Sequence, residues 1–340
     1  MAEVNKGKRP NVAVVGAGVV GLPTAVMLTE SKLQPQVTII AEQFSPNITS
    51  DAAVAAIRIT DYQTFANDPR KVKWIGETYQ YLSKLFPTPL AARLNLTLLS
   101  SYAIFDEYKE YPGVRDLVLG FRFISAEEKR VLNIPQDKTA CSYLTFTVPC
   151  GPFLAWQLEQ FKTNGGMVIQ KKLNSLKEID GEYDVIVNCT GLGSKELVDD
   201  QELYPNRGQA MLVKAPWVKY VIKEEFDGGS FSIYPRSEGV VLGGTKQIDN
   251  WSTDVDPVDS ANILAGCLKY VPSLAQAEVL HEWVGLRPGR KQVRLEAEDL
   301  SENTVIVHNY GHNNKGFALS IGCAKDTVLL VEKHLNERGF

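Results

Sequence analysis

The sequence predicts an α/β protein in which a Rossmann-type nucleotide-binding domain is interleaved with a domain of mixed, largely antiparallel β-sheet. Three features predict it: a strand-like run ending in GxGxxG at 12–21, an apolar run ending in an acid at 37–42, and a second buried strand with a polar, glycine-rich turn at 183–193. A buried apolar strand that ends at the ligand edge belongs beside the first strand. We therefore expect a nucleotide-binding domain at 1–65, 150–203 and 291–340, interrupted by a second domain at 66–149 and 204–290.

The GxGxxG turn is the strongest single motif, although GxGxxG alone is a weak signal in a chain with 26 glycines. Gly16 allows a tight exit from the strand, Gly18 lets a pyrophosphate approach bare backbone, and Gly21 lets the helix pack closely. The residues predicted to contact the dinucleotide here are Gly16, Ala17, Gly18, Val19, Val20 and Gly21.

The second strand ends in Glu42, whose carboxylate is placed to accept the ribose hydroxyls of an adenine dinucleotide. An acid there argues against a 2′-phosphate. Gln43 follows, and the hydroxyl-rich turn with Thr49 and Ser50 is a candidate for further phosphate contacts. The alternative is a Rossmann-like unit that binds no nucleotide.

Composition favours a globular protein with small-molecule partners. The chain has 340 residues, 44% of them hydrophobic, and 36 basic against 40 acidic residues, without a basic run that would suggest nucleic acid. No apolar run is long enough to cross a bilayer, and the start lacks the apolar core of a signal peptide. Five scattered cysteines without a CxxC indicate neither a zinc site nor a disulfide framework, so we expect an intracellular protein without a metal.

Two segments allow two interpretations each. The small residues at 51–57 suit either close approach of a flat ring or an ordinary buried helix start. At 305–324 a strand enters a glycine-bearing loop and a helix leaves it. The first N–H groups of that helix would stabilise an anionic ring or oxygen, or the loop serves packing alone. Helical apolar faces predict further helices at about 68–86 and at 151–163.

Across nearly its whole length the chain resembles the family of FAD-dependent D-amino-acid oxidases, and within it the branch that oxidises D-aspartate. The resemblance rests on several motifs in a fixed order: the turn at 12–21, Val185-Ile-Val-Asn-Cys-Thr-Gly-Leu-Gly-Ser, Tyr204-Pro-Asn-Arg-Gly-Gln, Ala215-Pro-Trp217, Leu242-Gly-Gly-Thr-Lys246, Gly285-Leu-Arg287-Pro288, Val293-Arg294-Leu-Glu296 and Val307-His-Asn-Tyr-Gly-His.

The resemblance implies bound FAD, hydride transfer from the α-carbon of a D-amino acid to the flavin, and reoxidation by O₂ to hydrogen peroxide. The imino acid then hydrolyses to a 2-oxo acid and ammonia. Because the protein mainly positions the reactants, we predict no catalytic side chain. Arg287 is expected to pair with the substrate α-carboxylate, since a planar guanidinium suits a carboxylate. The alternative is a surface or structural arginine.

Several family positions are predicted to bind the cofactor or substrate, and some depart from the family pattern. Beyond the glycine turn, the cofactor contacts are expected at Glu42, Gln43, Thr49, Ser50, Leu173, Asn313, Gly316, Phe317 and Ala318. Asn313 and Asn314 replace two small residues of the family loop, and the small-residue motif reads Ala52-Ala-Val-Ala-Ala56 without its usual glycine. Ser232 stands where relatives commonly have a tyrosine that holds the substrate carboxylate, and Tyr234 lies nearby.

Extra positive charge favours an acidic D-amino acid such as D-aspartate or D-glutamate. Lys246 follows Gly-Gly-Thr where the D-aspartate-oxidising relatives tend to have arginine, and Arg58 lies where neutral-substrate relatives tend to be uncharged. Alternatives are an oxidase of neutral D-amino acids, an inert flavin-binding homologue and an NAD-dependent dehydrogenase. The resemblance allows a homodimer and a cytoplasmic or peroxisomal location, although the C-terminus is not of the Ser-Lys-Leu type.

Overall fold

The structure, a computed structural model, describes residues 7–59, 61–226 and 229–340. Residues 1–6 lie outside the described residues. They begin the predicted nucleotide-binding domain and the N-terminal segment that was expected to lack a signal peptide. The strands are β1 Asn11–Val15, β2 Gln36–Ala41, β3 Thr97–Phe105, β4 Arg122–Phe123, β5 Thr139–Thr147, β6 Met167–Gln170, β7 Val185–Asn188, β8 Tyr204–Lys214, β9 Val221–Phe226, β10 Gly229–Pro235, β11 Val240–Thr245, β12 Gln247–Ile248, β13 Glu278–Gly289, β14 Arg294–Asp299 and β15 Val305–Tyr310. The α-helices are α1 Gly21–Thr29, α2 Tyr62–Asn67, α3 Arg70–Leu85, α4 Leu90–Leu94, α5 Ala126–Val131, α6 Cys150–Thr163, α7 Ser194–Leu197, α8 Pro257–Leu268 and α9 Gly316–Glu337.

The chain forms two compact units. The first comprises 1–51, 150–204 and 288–340, and the second 52–149 and 205–287. Residues 52–65 therefore fall in the second unit, whereas the sequence-based division placed them in the first. The backbone explains this, because Ala56 forms a bridge with Thr147 and the Ile57 N–H donates to the Phe146 carbonyl at 3.2 Å. The segment thus runs along an edge of β5.

The first unit is built on a sheet with the strand order β14-β15-β7-β1-β2-β6. All neighbours from β15 to β6 pair in parallel, and β14 pairs antiparallel with β15. Val12 lies between Val37 on one side and Val185 on the other, and all three are buried. Strands covered on both faces need such continuous apolar runs. The predicted Rossmann-type sheet, with the chain returning to it after a long insertion, is confirmed.

The second unit contains a mostly antiparallel sheet with the order β12-β8-β11-β10-β9-β3-β5-β4, in which β3 and β9 pair in parallel and β13 also pairs with β8. Ile222, Ile233 and Leu242 lie side by side and pack against Ile263 of α8 in one apolar cluster. Side chains alternate between the faces of a sheet. The intervening residues of β9, β10 and β11 therefore project from the opposite face. There Val221, Tyr234 and Val241 form a small buried cluster, and polar residues such as Lys223, Glu225 and Ser232 share the face, which is called the polar face below.

The small-residue segment is not a helix start, so that interpretation is wrong. Residues Thr49–Ala52 form one 3₁₀ turn, after which the chain leaves helical geometry. Ala55 has a positive φ of 54°, a left-handed conformation that cannot continue a right-handed helix. The predicted helices at about 68–86 and 151–163 are present as α3 and α6.

The packing of α8 on the sheet yields a stability prediction at Gly266. A Cβ there would overlap the ring of Phe231, which lies 4.6 Å from the ring of Phe226 and beneath the Lys269 ammonium. Overpacking should make Gly266→Ala destabilising by about 1–3 kcal/mol, although alanine favours helix by about 1 kcal/mol. Thermal and urea unfolding of the flavin-loaded protein measure the change. In a Phe231→Ala background the same substitution should become neutral or stabilising, and stabilisation in the parent would contradict the packing argument.

Candidate active site

The β1–α1 turn of the first unit has the geometry that the glycine motif predicts. Gly16 has a φ of +106°, and a Cβ there would lie 2.5 Å from the Cys189 carbonyl oxygen. A Cβ on Gly21 would overlap the Gly16 carbonyl oxygen. Both glycines are therefore required by backbone contacts inside the fold. Gly18 differs, because a Cβ there would meet a side-chain atom, the Ser50 hydroxyl oxygen, at 3.0 Å. Its bare backbone provides the close approach that a pyrophosphate needs.

The hydroxyl-rich turn is held against the glycine turn by short polar contacts. The Val19 N–H donates to the Ser50 hydroxyl at 3.1 Å. Asp51 fixes the turn from within, since its carboxylate accepts from the Ser45 hydroxyl at 2.5 Å and from the Ile48 N–H at 3.1 Å. Ser50, and with it the neighbouring Thr49, is thus brought to the residues predicted to contact phosphate.

Glu42 follows directly on β2, the strand beside β1. Its side chain is exposed, and the Lys172 ammonium lies 3.6 Å from its carboxylate. The Gln170 amide donates to the Glu42 carbonyl at 3.1 Å, which fixes the backbone at this strand end. Glu42 and Gln43 therefore lie at the same sheet edge as the glycine turn. Leu173 instead buries its side chain in an apolar cluster with residues of β1 and β2.

The start of α9 also meets the glycine turn. A Cβ on Gly316 would lie 3.5 Å from a methyl of Val19, and the ring of Phe317 packs edge to face on Phe153 at 5.6 Å. Phe317 and the next residue, Ala318, are buried. Asn313 adopts a left-handed φ of 50°, a conformation that asparagine tolerates better than most residues. The asparagine that departs from the family pattern thus suits the backbone that it occupies.

A buried polar chain holds the turn after β7. His308 lies between the Glu298 carboxylate at 2.9 Å and the Asn188 amide nitrogen at 3.3 Å. If the Asn188 amide donates to Nδ1, the His308 proton is on Nε2 and points to Glu298. Burial lowers the pKa of His308 and favours this neutral form. The Asn188 oxygen accepts the N–H of Thr190 at 3.2 Å, so His308 acts as a positioning residue for the following turn.

In the second unit, Arg287 of β13 is placed by backbone atoms. Its Nη1 donates to the Thr245 carbonyl at 2.9 Å, and a Cβ at Gly208 would overlap its guanidinium. Glycine is thus required beneath this arginine. Burial and the Arg58 guanidinium lower the pKa of Arg287 to about 10. The group is still a cation at neutral pH, in surroundings where an anion would be strongly favoured.

Hydroxyl groups lie on the same polar face of the sheet. Tyr234 is buried, which raises its pKa, while the adjacent Arg58 guanidinium opposes that effect. Tyr143 is also buried, and desolvation raises its pKa despite a hydrogen bond with Ser101. Ser232 lies directly opposite Lys223 in the register of β10 and β9. This face therefore offers hydroxyl groups, and Tyr234 lies beside the Arg58 guanidinium.

A cationic cluster on this face, consisting of Arg58, Lys223 and Lys246, surrounds the carboxylate of Glu225. Arg58 Nη1 lies 3.6 Å and Lys246 Nζ 3.8 Å from the Glu225 oxygens, and the Lys223 ammonium is in direct contact with them. Lys223 is only 5% exposed. Three basic side chains in the described part of this unit thus share one carboxylate.

The structure gathers the predicted site residues into two groups. Arg287, Tyr234, Ser232, Arg58 and Lys246 belong to the polar face of the second unit, and the predicted dinucleotide contacts, Leu173 apart, gather at one sheet edge of the first. Sequence reasoning missed four residues of the second unit at or beside the polar face: Tyr143, Gly208, Lys223 and Glu225. Only the alternation of apolar and charged residues along β9 could have indicated two of them, because Lys223 and Glu225 share the face of Val221.

Helices that could span a membrane and groups of side chains that could hold a metal ion are absent from the described ranges. No helix there is long and apolar enough to cross a membrane. Likewise, no group of three or more His, Cys, Asp or Glu side chains among the described residues is placed to hold a metal ion. The five cysteines are buried and form no disulfide with one another.

Comparison with known proteins decides the family. The DAO family of FAD dependent oxidoreductases matches residues 11–330. The chain belongs to this family. Human D-aspartate oxidase is 36% identical over 329 residues, which are 95% of this chain and 94% of that protein. The D-amino acid oxidase of Dugesia ryukyuensis is also 36% identical, over 94% of this chain and 97% of the relative. The crystal structure of glycine oxidase from Bacillus cereus has the same fold, with a TM-score of 0.75 at 18% identity over 97% of this chain and 98% of the other.

Membership of this family establishes an FAD-dependent oxidoreductase. The dinucleotide of the first unit is therefore FAD, and the hypothesis of an NAD-dependent dehydrogenase is wrong. The residues present fit the cofactor, since Gly18 exposes bare backbone at the start of α1 and Glu42 offers an exposed carboxylate at the end of β2. That the predicted side chains contact FAD individually stays a prediction.

Gly18 allows a test that separates cofactor binding from folding. Its neighbour is a serine side chain that can rotate, whereas Gly16 and Gly21 face backbone atoms. Gly18→Val should therefore give a folded protein that has lost its flavin absorption, because the isopropyl group occupies the approach of the pyrophosphate. Absorption near 450 nm, circular dichroism and thermal unfolding measure this, with Gly113→Val at an open turn of the second unit as the control. A Gly18→Val protein with full flavin content would contradict the assignment.

Proposed function

We propose that this enzyme oxidatively deaminates D-amino acids and prefers those with an acidic side chain. The products would be a 2-oxo acid, ammonia and hydrogen peroxide. The similarity to proteins named D-aspartate oxidase and D-amino acid oxidase, over nearly the whole of each chain, supports the reaction. The observation that carries the acidic preference is the cationic cluster on the polar face that also holds Arg287.

The two units divide the work in this proposal. The first unit binds FAD through the residues from Gly16 to Gly21, Glu42, Gln43, Thr49, Ser50, Leu173, Asn313, Gly316, Phe317 and Ala318. The second unit binds the D-amino acid. When bound, FAD accepts a hydride from the substrate α-carbon, and the electrons pass on to O₂. The side chains of this protein bind and orient the reactants, and none is assigned a covalent or proton-transfer role.

Arg287 is assigned to the α-carboxylate of the substrate. Its planar guanidinium can donate two parallel hydrogen bonds, which fix both the position and the rotation of a carboxylate. The Thr245 carbonyl and the bare backbone of Gly208 hold the guanidinium in place before substrate arrives. Tyr234 and Ser232 are assigned as hydroxyl donors on the same face. Such orientation accounts for a large part of the rate of reactions between bound partners.

Lys246 and Arg58 are assigned to the side-chain carboxylate of an acidic substrate. Both lie within 4 Å of a carboxylate already present, that of Glu225. They therefore have the reach to contact a carboxylate group on this face. Three basic groups meet at this carboxylate, so a second carboxylate from the substrate would be attracted to the same place. A substrate with a methyl group there would gain no such attraction.

Removal of Arg287 tests the proposed carboxylate anchor. Arg287→Ala removes a charge-assisted pair worth about 1.5–3 kcal/mol, and misorientation adds to the loss. The kcat/KM for D-aspartate should fall at least about tenfold to a hundredfold, with flavin content and Tm retained. Arg287→Lys should recover only part of the activity, because the charge returns without the planar donor pair.

The control for Arg287 is Arg130→Ala, which removes an arginine that is mostly exposed on α5. It should leave kcat/KM unchanged. An Arg287→Ala enzyme that oxidises D-aspartate within about threefold of the parent, a difference below 1 kcal/mol, would show that another group anchors the α-carboxylate. In that case the polar face of the second unit would no longer be assigned as the site that binds the substrate α-carboxylate.

The acidic preference is tested with paired substrates and a lysine variant. D-aspartate and D-glutamate should have a higher kcat/KM than D-alanine and D-methionine. Lys246→Met should lower kcat/KM for D-aspartate by about tenfold or more, since one charge-assisted contact is lost, and change that for D-alanine by less than about threefold. Lys214→Met, at an exposed position of β8, is the matched control. Better turnover of the neutral substrates by the parent would refute the acidic preference.

A further inference from the structure

The carboxylate of Glu225 lies within the cationic cluster, where the proposed function places the side-chain carboxylate of the substrate. Its oxygens contact Lys223 and lie 3.6 Å and 3.8 Å from Arg58 and Lys246. The last two are the residues assigned above to the side chain of an acidic substrate. The protein thus presents these cations already engaged by an internal anion.

The strand register shows that this arrangement belongs to one face only. Glu225 and Lys223 are two residues apart on β9 and project to the same side, while the intervening Glu224 projects to the other. Glu224 accepts a hydrogen bond from the Tyr270 hydroxyl at 2.6 Å and pairs with Lys138 at 3.0 Å. Two adjacent glutamates therefore have different partners, and only Glu225 is in the cationic cluster.

The degree of burial within the cluster separates two roles for Glu225. Lys223 is almost completely buried, and a buried ammonium needs a nearby anion. Arg58 and Lys246 keep 18% and 25% of their side-chain surface exposed, and they lie more than 3.5 Å from the nearest oxygen of Glu225. The contact with Lys223 is thus the close one, and the two longer contacts involve the cations that solvent can reach.

We propose that Glu225 is a specificity-determining residue that competes with the side-chain carboxylate of the substrate for Arg58 and Lys246, while it neutralises Lys223. This inference rests on the proposed function of the same face. Binding of an acidic D-amino acid exchanges one anion for another at the two exposed cations, and Glu225 keeps its pair with Lys223. The negative charge of Glu225 therefore lowers the preference for acidic over neutral substrates. Without it, Arg58 and Lys246 would give a higher ratio of the two kcat/KM values.

The test compares D-aspartate with D-asparagine, which has nearly the same shape without the side-chain charge. The selectivity ratio is kcat/KM for D-aspartate divided by that for D-asparagine. Glu225→Gln removes the competing charge and should raise the ratio by about three- to tenfold, because a like charge some 4–6 Å away no longer repels the substrate. Glu224→Gln is the matched control and should leave the ratio unchanged, since it removes the same charge from the opposite face of the same strand.

Glu225→Asp is a second variant that keeps the charge, in case the amide leaves Lys223 unpaired and the protein unstable. It draws the carboxylate back toward β9, and it should raise the ratio by less than Glu225→Gln. Inhibition by malonate relative to acetate gives a second measurement that needs no turnover of D-aspartate. Malonate should gain affinity over acetate in Glu225→Gln by a similar factor.

The outcomes for Glu225 and for the proposed function are distinguishable. The change of the ratio between parent and variant tests Glu225, whatever value the ratio has in the parent. A ratio that stays constant or falls in Glu225→Gln, with Tm and flavin content retained, would overturn the competition, because Glu225 would then only hold the cations in place. A parent that prefers D-asparagine and the neutral D-amino acids would instead refute the acidic preference.

Discussion

The packing of a partly buried guanidinium against bare backbone is the constraint around which the binding face of the second unit is organised. Arg287 fits only because residue 208 has no side chain, and its charge persists at neutral pH although burial lowers its pKa to about 10. A desolvated charge is costly unless an anion or dipoles compensate it. The Thr245 carbonyl offers partial compensation. The remaining instability of the charge is the physical reason why the proposed function assigns a substrate carboxylate to this face.

In the first unit, the predicted binding of an anion depends on backbone groups and not on charged side chains. There an anion is offered backbone N–H groups at the start of α1, and the glycines allow close approach. Gly16 and Gly21 are fixed by contacts within the backbone, so the shape of the turn is set before any cofactor binds. In the proposed function, this protein thus combines two kinds of anion recognition. The site in the first unit can be recognised from the spacing of its glycines. The site in the second unit depends on which side chains the sheet brings together.

This difference explains how much could be predicted from the sequence. The glycine turn, the strand that ends in Glu42 and the interrupted parallel sheet are local patterns, and each was predicted from contiguous residues. Arg287, Arg58 and Lys246 were identified through resemblance to the family. Gly208, Tyr143 and Glu225 were missed because their importance arises from cross-strand register, which no contiguous motif encodes.

One of the two interpretations of segment 51–57, that of a buried helix start, was wrong for a similar reason. Its small residues are compatible with a helix, but pairing with β5 decides its conformation. Hydrogen bonds from Ile57 to Phe146 and from the Thr145 hydroxyl to the Ile57 carbonyl hold it to a distant part of the chain. Arg58, the next residue, owes its place on the polar face to this pairing. A local composition could not reveal an outcome that a tertiary contact determines.

The alternation of side chains along β9 has an evolutionary consequence. Ile222 and Glu224 face one way, toward the apolar packing and the Tyr270 hydroxyl, while Lys223 and Glu225 face the other. In the proposed function, point substitutions at the second pair would change which ligand charge this face accepts without disturbing the first pair. An insertion or deletion of one residue would exchange the two sets and place charges in the apolar layer. We therefore expect substrate preference to change in evolution through substitutions in β9, and not through insertions or deletions in this strand.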